Sequence, residues 1–252
     1  MKTLLLALTF AVSLTIASAQ SGPVLTNENS DVYFGYYVED PVNNPEDPTP
    51  GALLLRLPKT DAAFAGALYF TFVGCQSESW GLIDGRLQQG ELRGRWSGPV
   101  DGVPQHGTFR GEFDQSTGQY AGTFDNAGGK QFREIPDCTS YYIAARGTWQ
   151  MFTPQSLRQG NLSLSARWPN VEWESPIPLI LLIYVLDKSL LSGPNPQSAV
   201  VAQFVVEPGE NRQRLPASKM QAGREYTVVG MAFDREMRPM GRGSIAVTKR
   251  AR

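Results

Sequence analysis

The sequence predicts an all-β protein, an antiparallel meander followed by a second β unit. Three observations carry this. Short runs rich in β-branched and aromatic residues recur between Gly- and Pro-rich turns. No stretch sustains a capped apolar period of 3.6 residues, as an amphipathic helix would. One strand-sized pattern, Gly-x-apolar-x-Gly-x-apolar, occurs four times between Gly81 and Phe124.

Met1-Lys2 leads into an apolar stretch, Leu4 to Ala17, that ends in Ala17-Ser18-Ala19, a small-x-small cleavage pattern. Residues 1–19 are therefore expected to be a signal peptide, and the mature chain a secreted or periplasmic protein. "IPLILLIYVL", Ile177 to Leu186, is too short to cross a membrane, which takes about 20 residues, and is expected to be a buried strand. Charge divides the rest: residues 20–152 carry nine basic and sixteen acidic side chains, residues 153–252 thirteen and eight. That asymmetry supports two domains, 20–152 and 153–252. The basic residues of the second are dispersed apart from Lys249–Arg252, expected to be a solvated tail, so no nucleic-acid partner is expected.

"VYFGYYVE" (Val32–Glu39) reads as the first strand, and the Pro-rich Asp40–Gly51 that follows as an exposed acidic loop. Its Asp40, Asn43, Asn44, Glu46 and Asp47 match no calcium-loop spacing. Further strands are expected at Ala52–Leu57, Gly66–Val73, Trp80–Leu87, Glu91–Ser97, Gly107–Phe113 and Gln119–Phe124, and as a pair at Ser140–Ala144 and Thr148–Phe152. Cys75 and Cys138 are the two cysteines. In an exported domain they are expected to form a disulfide, worth about 4 kcal/mol on the chain-entropy estimate.

In the four-copy pattern, glycines and large residues share one parity and so one face of a strand. Arg93, Arg95, Arg110, Glu91 and Glu112 take the other parity, which predicts a wet face of mixed charge with cross-strand ion pairs. Repeated glycine beside large rings is how a tapering barrel is filled. Gly118 is expected at a left-handed turn position. The hairpins resemble MORN repeats, but the copies start 9, 17 and 11 residues apart, so no function is carried over.

The C-terminal part reads as five strands: Asn161–Trp168, Ile177–Leu186, Ala199–Glu207, Arg224–Asp234 and Gly243–Lys249. Within it Met220, Gly223, Tyr226, Val228 and Ala232 resemble the fibronectin type III pattern around its corner tyrosine. The resemblance implies an immunoglobulin-like β-sandwich in which the Tyr226 hydroxyl ties a corner between the sheets. The usual proline is Ala222 here. Asn161-Leu162-Ser163 is a glycosylation acceptor pattern that chance explains.

His106 is the only histidine and is expected at a turn; most histidine-based metal sites and Ser-His-Asp chemistry need more. Gly128–Lys130 lacks the remainder of a phosphate loop. No catalytic residue, metal or cofactor is expected. Asp84, Glu91, Glu112, Asp114 and Asp125 keep a carboxylate-based glycoside hydrolase as an alternative. Trp96, Phe109, Phe113, Tyr120 and Phe124, together with Trp80 and Trp149, either fill the barrel or line a cavity for a small apolar ligand. The function expected is an exported, non-catalytic binding or structural protein of the cell envelope or extracellular space. Its partner would be a protein, a surface polymer or a small apolar ligand, the last making it a carrier barrel.

Overall fold

The computed structural model describes residues 25–40, 50–71, 78–100, 103–126, 132–135, 138–142, 146–158, 161–193 and 196–249. The expected signal peptide, most of the acidic loop, Cys75, Gly128–Lys130 and the chain beyond Lys249 lie outside them. Cys138 opens a described strand, but its side chain lies outside too, and so does the expected disulfide.

The first seven strands are β1 (Ser30–Glu39), β2 (Gly51–Pro58), β3 (Ala62–Thr71), β4 (Glu78–Gln88), β5 (Glu91–Val100), β6 (Val103–Asp114) and β7 (Gln119–Asn126). Each pairs antiparallel with the next. A short hairpin of β8 (Phe132–Ile135) and β9 (Cys138–Tyr142) follows, and β10 (Arg146–Phe152) then pairs with both β7 and β1, closing an eight-stranded barrel. The expected pairing of 140–144 with 148–152 does not form, because β9 pairs with β8 and β10 is the closing stave.

The parity reading holds inside the barrel. Ile83, Leu87, Leu92, Trp96, Phe109, Phe113, Tyr120 and Phe124 pack in one interior cluster with Tyr33, Tyr37, Leu55, Phe70 and Trp149. The glycines of the same parity leave room for these rings. A Cβ on Gly94 would lie 2.5 Å from Phe109 Cζ, and one on Gly122 2.7 Å from Trp149 Cζ2. Ordinary carbon contacts are about 3.5–4.0 Å, so no other residue fits there without displacing an aromatic.

The two rims differ. At one, the connections 59–61, 89–90 and 115–118 are short. Asp61 accepts from Gln89 N–H at 2.9 Å, and Asp114 accepts from Ser116 N–H at 2.8 Å. Gly118 takes φ 64°, the left-handed position expected of it. The other rim is formed by the ends of β1, β3, β5 and β7 and the starts of β2, β4, β6 and β10.

After α1 (Pro154–Arg158), seven strands build an immunoglobulin-like sandwich: β11 (Leu164–Arg167), β12 (Asn170–Trp173), β13 (Ile180–Asp187), β14 (Val200–Val206), β15 (Arg212–Arg214), β16 (Glu225–Phe233) and β17 (Pro239–Thr248). They form sheets β11-β12-β15 and β14-β13-β16-β17. β12 and β15 were not expected; at four and three residues they carry too little pattern. α2 (Lys188–Leu191) and a 3-10 turn, Pro196–Ala199, connect β13 to β14. No described helix is long and apolar enough to cross a membrane.

β13, "ILLIYVLD", is buried at every position. Leu181, Ile183 and Val185 face Val171 and Trp173 of the other sheet. Leu182, Tyr184 and Leu186 face the outer wall of the barrel, packing with Phe34, Tyr36, Leu54, Tyr69 and Phe152. Barrel and sandwich thus share a continuous apolar cluster, and it is this apolar face, more than opposite charge, that joins them. The Tyr184 hydroxyl enters the β1–β2 ladder, donating to the Gly35 carbonyl and accepting from Leu53 N–H at 2.7 Å. Buried Arg56 on β2 donates to the Gly193 carbonyl at 2.8 Å, and Gln197 donates to the Ala67 carbonyl of β3 at 2.6 Å.

Candidate binding site at the long-loop rim

A small apolar recess of about 100 Å³ lies inside the barrel. It is lined by Leu53, Leu55, Phe70, Leu92, Trp96, Phe109, Phe124 and Trp149, with Tyr37, Glu39 and Asn126. Phe113 and Tyr120 do not line it; they pack on each other at 4.8 Å between centroids, with Tyr33 5.4 Å from Tyr120. The proposed ligand-facing aromatics therefore divide, with Trp96, Phe109 and Phe124 on the recess and the other two in filled core. The Trp80 side chain lies outside the described residues.

Two polar side chains reach the recess, and the register explains both. Glu39 continues the inward parity of Tyr33 and Tyr37, and Asn126 that of Tyr120 and Phe124. Glu39 opposes Gly147, which in turn opposes Phe124. A Cβ on Gly147 would lie 2.6 Å from the Phe124 ring, so glycine there lets that ring lie across the strand. Burial pushes the Glu39 carboxyl up to about 7. Asn126 Oδ1 is buried and has no hydrogen-bond partner among the described residues, an acceptor left open beside the Trp96 indole: a Cβ on Gly107 would meet Trp96 Nε1 at 2.5 Å and Asn126 Oδ1 at 2.7 Å. The walls are fixed by ring contacts. Phe70 meets Trp96 edge-on at 5.6 Å, Tyr37 meets Phe124 at 5.5 Å, and Trp149 Nε1 donates to the Thr123 carbonyl at 3.0 Å.

Glu39 and Asn126 were not singled out from the sequence. Their parity was legible; their meeting at one end of a closed barrel depends on register and was not.

Four of the five candidate hydrolase carboxylates are engaged elsewhere. Asp84 pairs with Arg95 at 3.1 Å and Asp125 with Arg146 at 3.0 Å across neighbouring strands, while Glu91 pairs with Arg93 on its own strand. Asp114 holds its turn, where hydrogen bonds from the Ser116 and Thr117 hydroxyls and the Ser116 N–H lower its pKa. Glu112 stands directly opposite Glu91 rather than an arginine.

His106 lies exposed within β6, paired with Ser97, rather than at a turn. Lys249 is not part of a solvated tail, since its Nζ donates to the Ala217 and Met220 carbonyls at 2.8 Å. Tyr226 is buried, and its hydroxyl accepts from Gln221 N–H at 2.6 Å, the backbone tie that the fibronectin type III resemblance implies. Asn161 is exposed before β11. No family model matches this chain, and no curated protein matches its sequence.

Proposed function

We propose that this chain is an exported, non-catalytic binding protein that uses the long-loop rim of its barrel. The recess takes the apolar end of a small ligand or of a partner's side chain. One observation carries the reading: an aromatic-lined recess whose polar groups are an unpartnered amide oxygen and an uncharged-leaning carboxyl. A buried acceptor without a donor costs about 1–3 kcal/mol, a cost that a bound O–H or N–H would relieve. The volume favours partial insertion over a carrier role, because pockets for whole drug-sized ligands run to about 300–1,000 Å³. The salt-bridged carboxylates of the outer wall support binding over hydrolysis.

The test is tryptophan fluorescence, because Trp96 and Trp149 line the recess. Titration with phenol and with decanol is expected to give saturable quenching. Leu55→Phe, which fills the recess, is expected to abolish it while the protein still melts cooperatively. Native mass spectrometry of protein purified from its own host would reveal retained ligand as added mass. Linear, unsaturable quenching identical in Leu55→Phe, with no added mass, overturns the proposal.

A further inference from the structure

The outer wall of the barrel carries a second feature. In the antiparallel register Arg86 of β4 stands directly opposite Arg93 of β5, and Arg93 directly opposite Arg110 of β6. All three are exposed. Like charges directly opposite on adjacent strands destabilise a sheet, and the ion pairing expected of this face would have alternated the signs. It does so one row along the strands, where Asp84 faces Arg95 and Asp125 faces Arg146. In the arginine row, Arg93 has Glu91, but Arg86 and Arg110 have no carboxylate within 4.0 Å among the described residues. Arg110 Nε instead donates to the Thr123 hydroxyl at 3.4 Å.

The row continues through Thr123 and Thr148, each opposite the last, and ends at Val38 where the sandwich covers the wall. There it enters an open cleft of about 1350 Å³ between barrel and sandwich, with Arg93, Arg110, Thr123 and Thr148 on one side and Arg235 on the other. Four carboxylates also line it: Asp125 and Glu236 are held by Arg146 and Arg238, and Glu39 and Asp40 lie at its barrel-rim end. The β16–β17 turn supplies Arg235. Asp234 Oδ1 accepts from the Glu236 and Arg238 N–H groups at 3.0 and 2.9 Å, and Met237, at φ 59°, turns inward against the barrel.

We propose that this row and cleft bind an acidic polysaccharide, a single extended chain bearing one carboxylate or sulfate per sugar. Strands are spaced roughly 4.8 Å apart, close to the advance of one pyranose along an extended glycan. Successive guanidiniums thus meet successive anionic groups, Arg93 and Arg110 through the N–H groups that Glu91 and Thr123 leave open. The threonine hydroxyls continue the track with hydrogen bonds to sugar hydroxyls. The flanking rows select a narrow ligand: Glu91 and Glu112 lie on one side and neutralised ion pairs on the other. A duplex nucleic acid or an anionic membrane, which present charge over a broad surface, would meet those carboxylates. A single linear chain laid along the arginine row meets of these only Glu91, whose charge Arg93 already offsets.

The experiment is binding of the full chain to polygalacturonate and to dextran sulfate, by calorimetry or affinity electrophoresis, with neutral dextran and duplex DNA as comparisons. Binding to either acidic glycan that weakens with salt, without comparable binding to dextran or DNA, is expected; which glycan binds assigns carboxylate or sulfate. Arg93→Gln with Arg110→Gln is expected to weaken binding at least tenfold. Arg212→Gln with Arg214→Gln, the same charge change on the sandwich, is expected to leave it unchanged. Relief of like-charge repulsion is expected to leave the melting temperature of the first double variant unchanged or raised. Absence of binding to both glycans, equal loss in both double variants, equally tight DNA binding, or a lowered melting temperature overturns the proposal.

Discussion

Replacing Gly111 by Ala adds one methyl group to the barrel interior, and the structure says what it meets. The new Cβ would lie 2.5 Å from the Ala121 carbonyl oxygen and 2.5 Å from Trp149 Cζ2, an ångström or so inside the usual carbon contact of about 3.5–4.0 Å. Neither neighbour yields easily. The carbonyl belongs to β7, paired with β6 from Gly107 to Asp114, and the indole is buried and hydrogen-bonded to Thr123. The expected cost is about 1–3 kcal/mol, the usual range for overpacking. Gly66→Ala is the reference, because its Cβ would meet nothing closer than 3.6 Å and its φ is unexceptional. Removing a glycine at such a site stabilises by about 0.4–1 kcal/mol through the unfolded chain. Gly118→Ala should fall between, since its Cβ has space but φ is 64°, a left-handed conformation costing about 1–2 kcal/mol. Urea unfolding followed by fluorescence and circular dichroism measures all three. If Gly111→Ala lay within 0.5 kcal/mol of Gly66→Ala, a margin typical of neutral surface changes, the view that these glycines make room for rings would be wrong.

Leu182→Ala, at the barrel–sandwich contact, should cost about 2–5 kcal/mol and lower the melting of both parts together; separate transitions would show the shared cluster not to couple them. Tyr184→Phe leaves the Leu53 N–H and Gly35 carbonyl without their hydroxyl and should cost about 1–3 kcal/mol, checked by urea unfolding. For Glu39, a folded pKa near 7 against an ordinary 4.5 means that the folded state holds the proton more tightly, so stability falls as pH rises from about 4.5 to 7. Glu39→Gln should flatten that part of the stability profile, and an unchanged slope would place the carboxylate in water. Mass spectrometry, without reduction, of the protein purified from its own host should find Cys75 and Cys138 joined; two free thiols would remove the disulfide.

Much of the fold was legible because its signals are local. Alternation along a strand follows from covalent geometry, so the parity of Ile83, Phe109 and Phe124 against Arg93 and Arg110 divided inside from outside before any strand was paired. The left-handed turn at Gly118 and the corner at Tyr226 were legible for the same reason. β12 and β15 were not, since three or four residues hold less than one full alternation pattern. The candidate site was half legible. Parity placed Glu39 with Tyr37, but the residues around it come from strands far away in sequence.

The sequence by itself determined which side chains each strand turns inward, where a ring needs a glycine opposite it, and that β13 must be covered on both faces. What covers it was decided only when the barrel wall met the sandwich, because burial of Leu182 and Tyr184 needs a surface supplied by β1, β2 and β10. Closure by β10, the meeting of Glu39 with Asn126 at one rim, and the alignment of Arg86, Arg93 and Arg110 are likewise tertiary. Each is a register between strands, and hydrogen-bonded register is fixed by the packing of the whole sheet, not by the residues of any one strand.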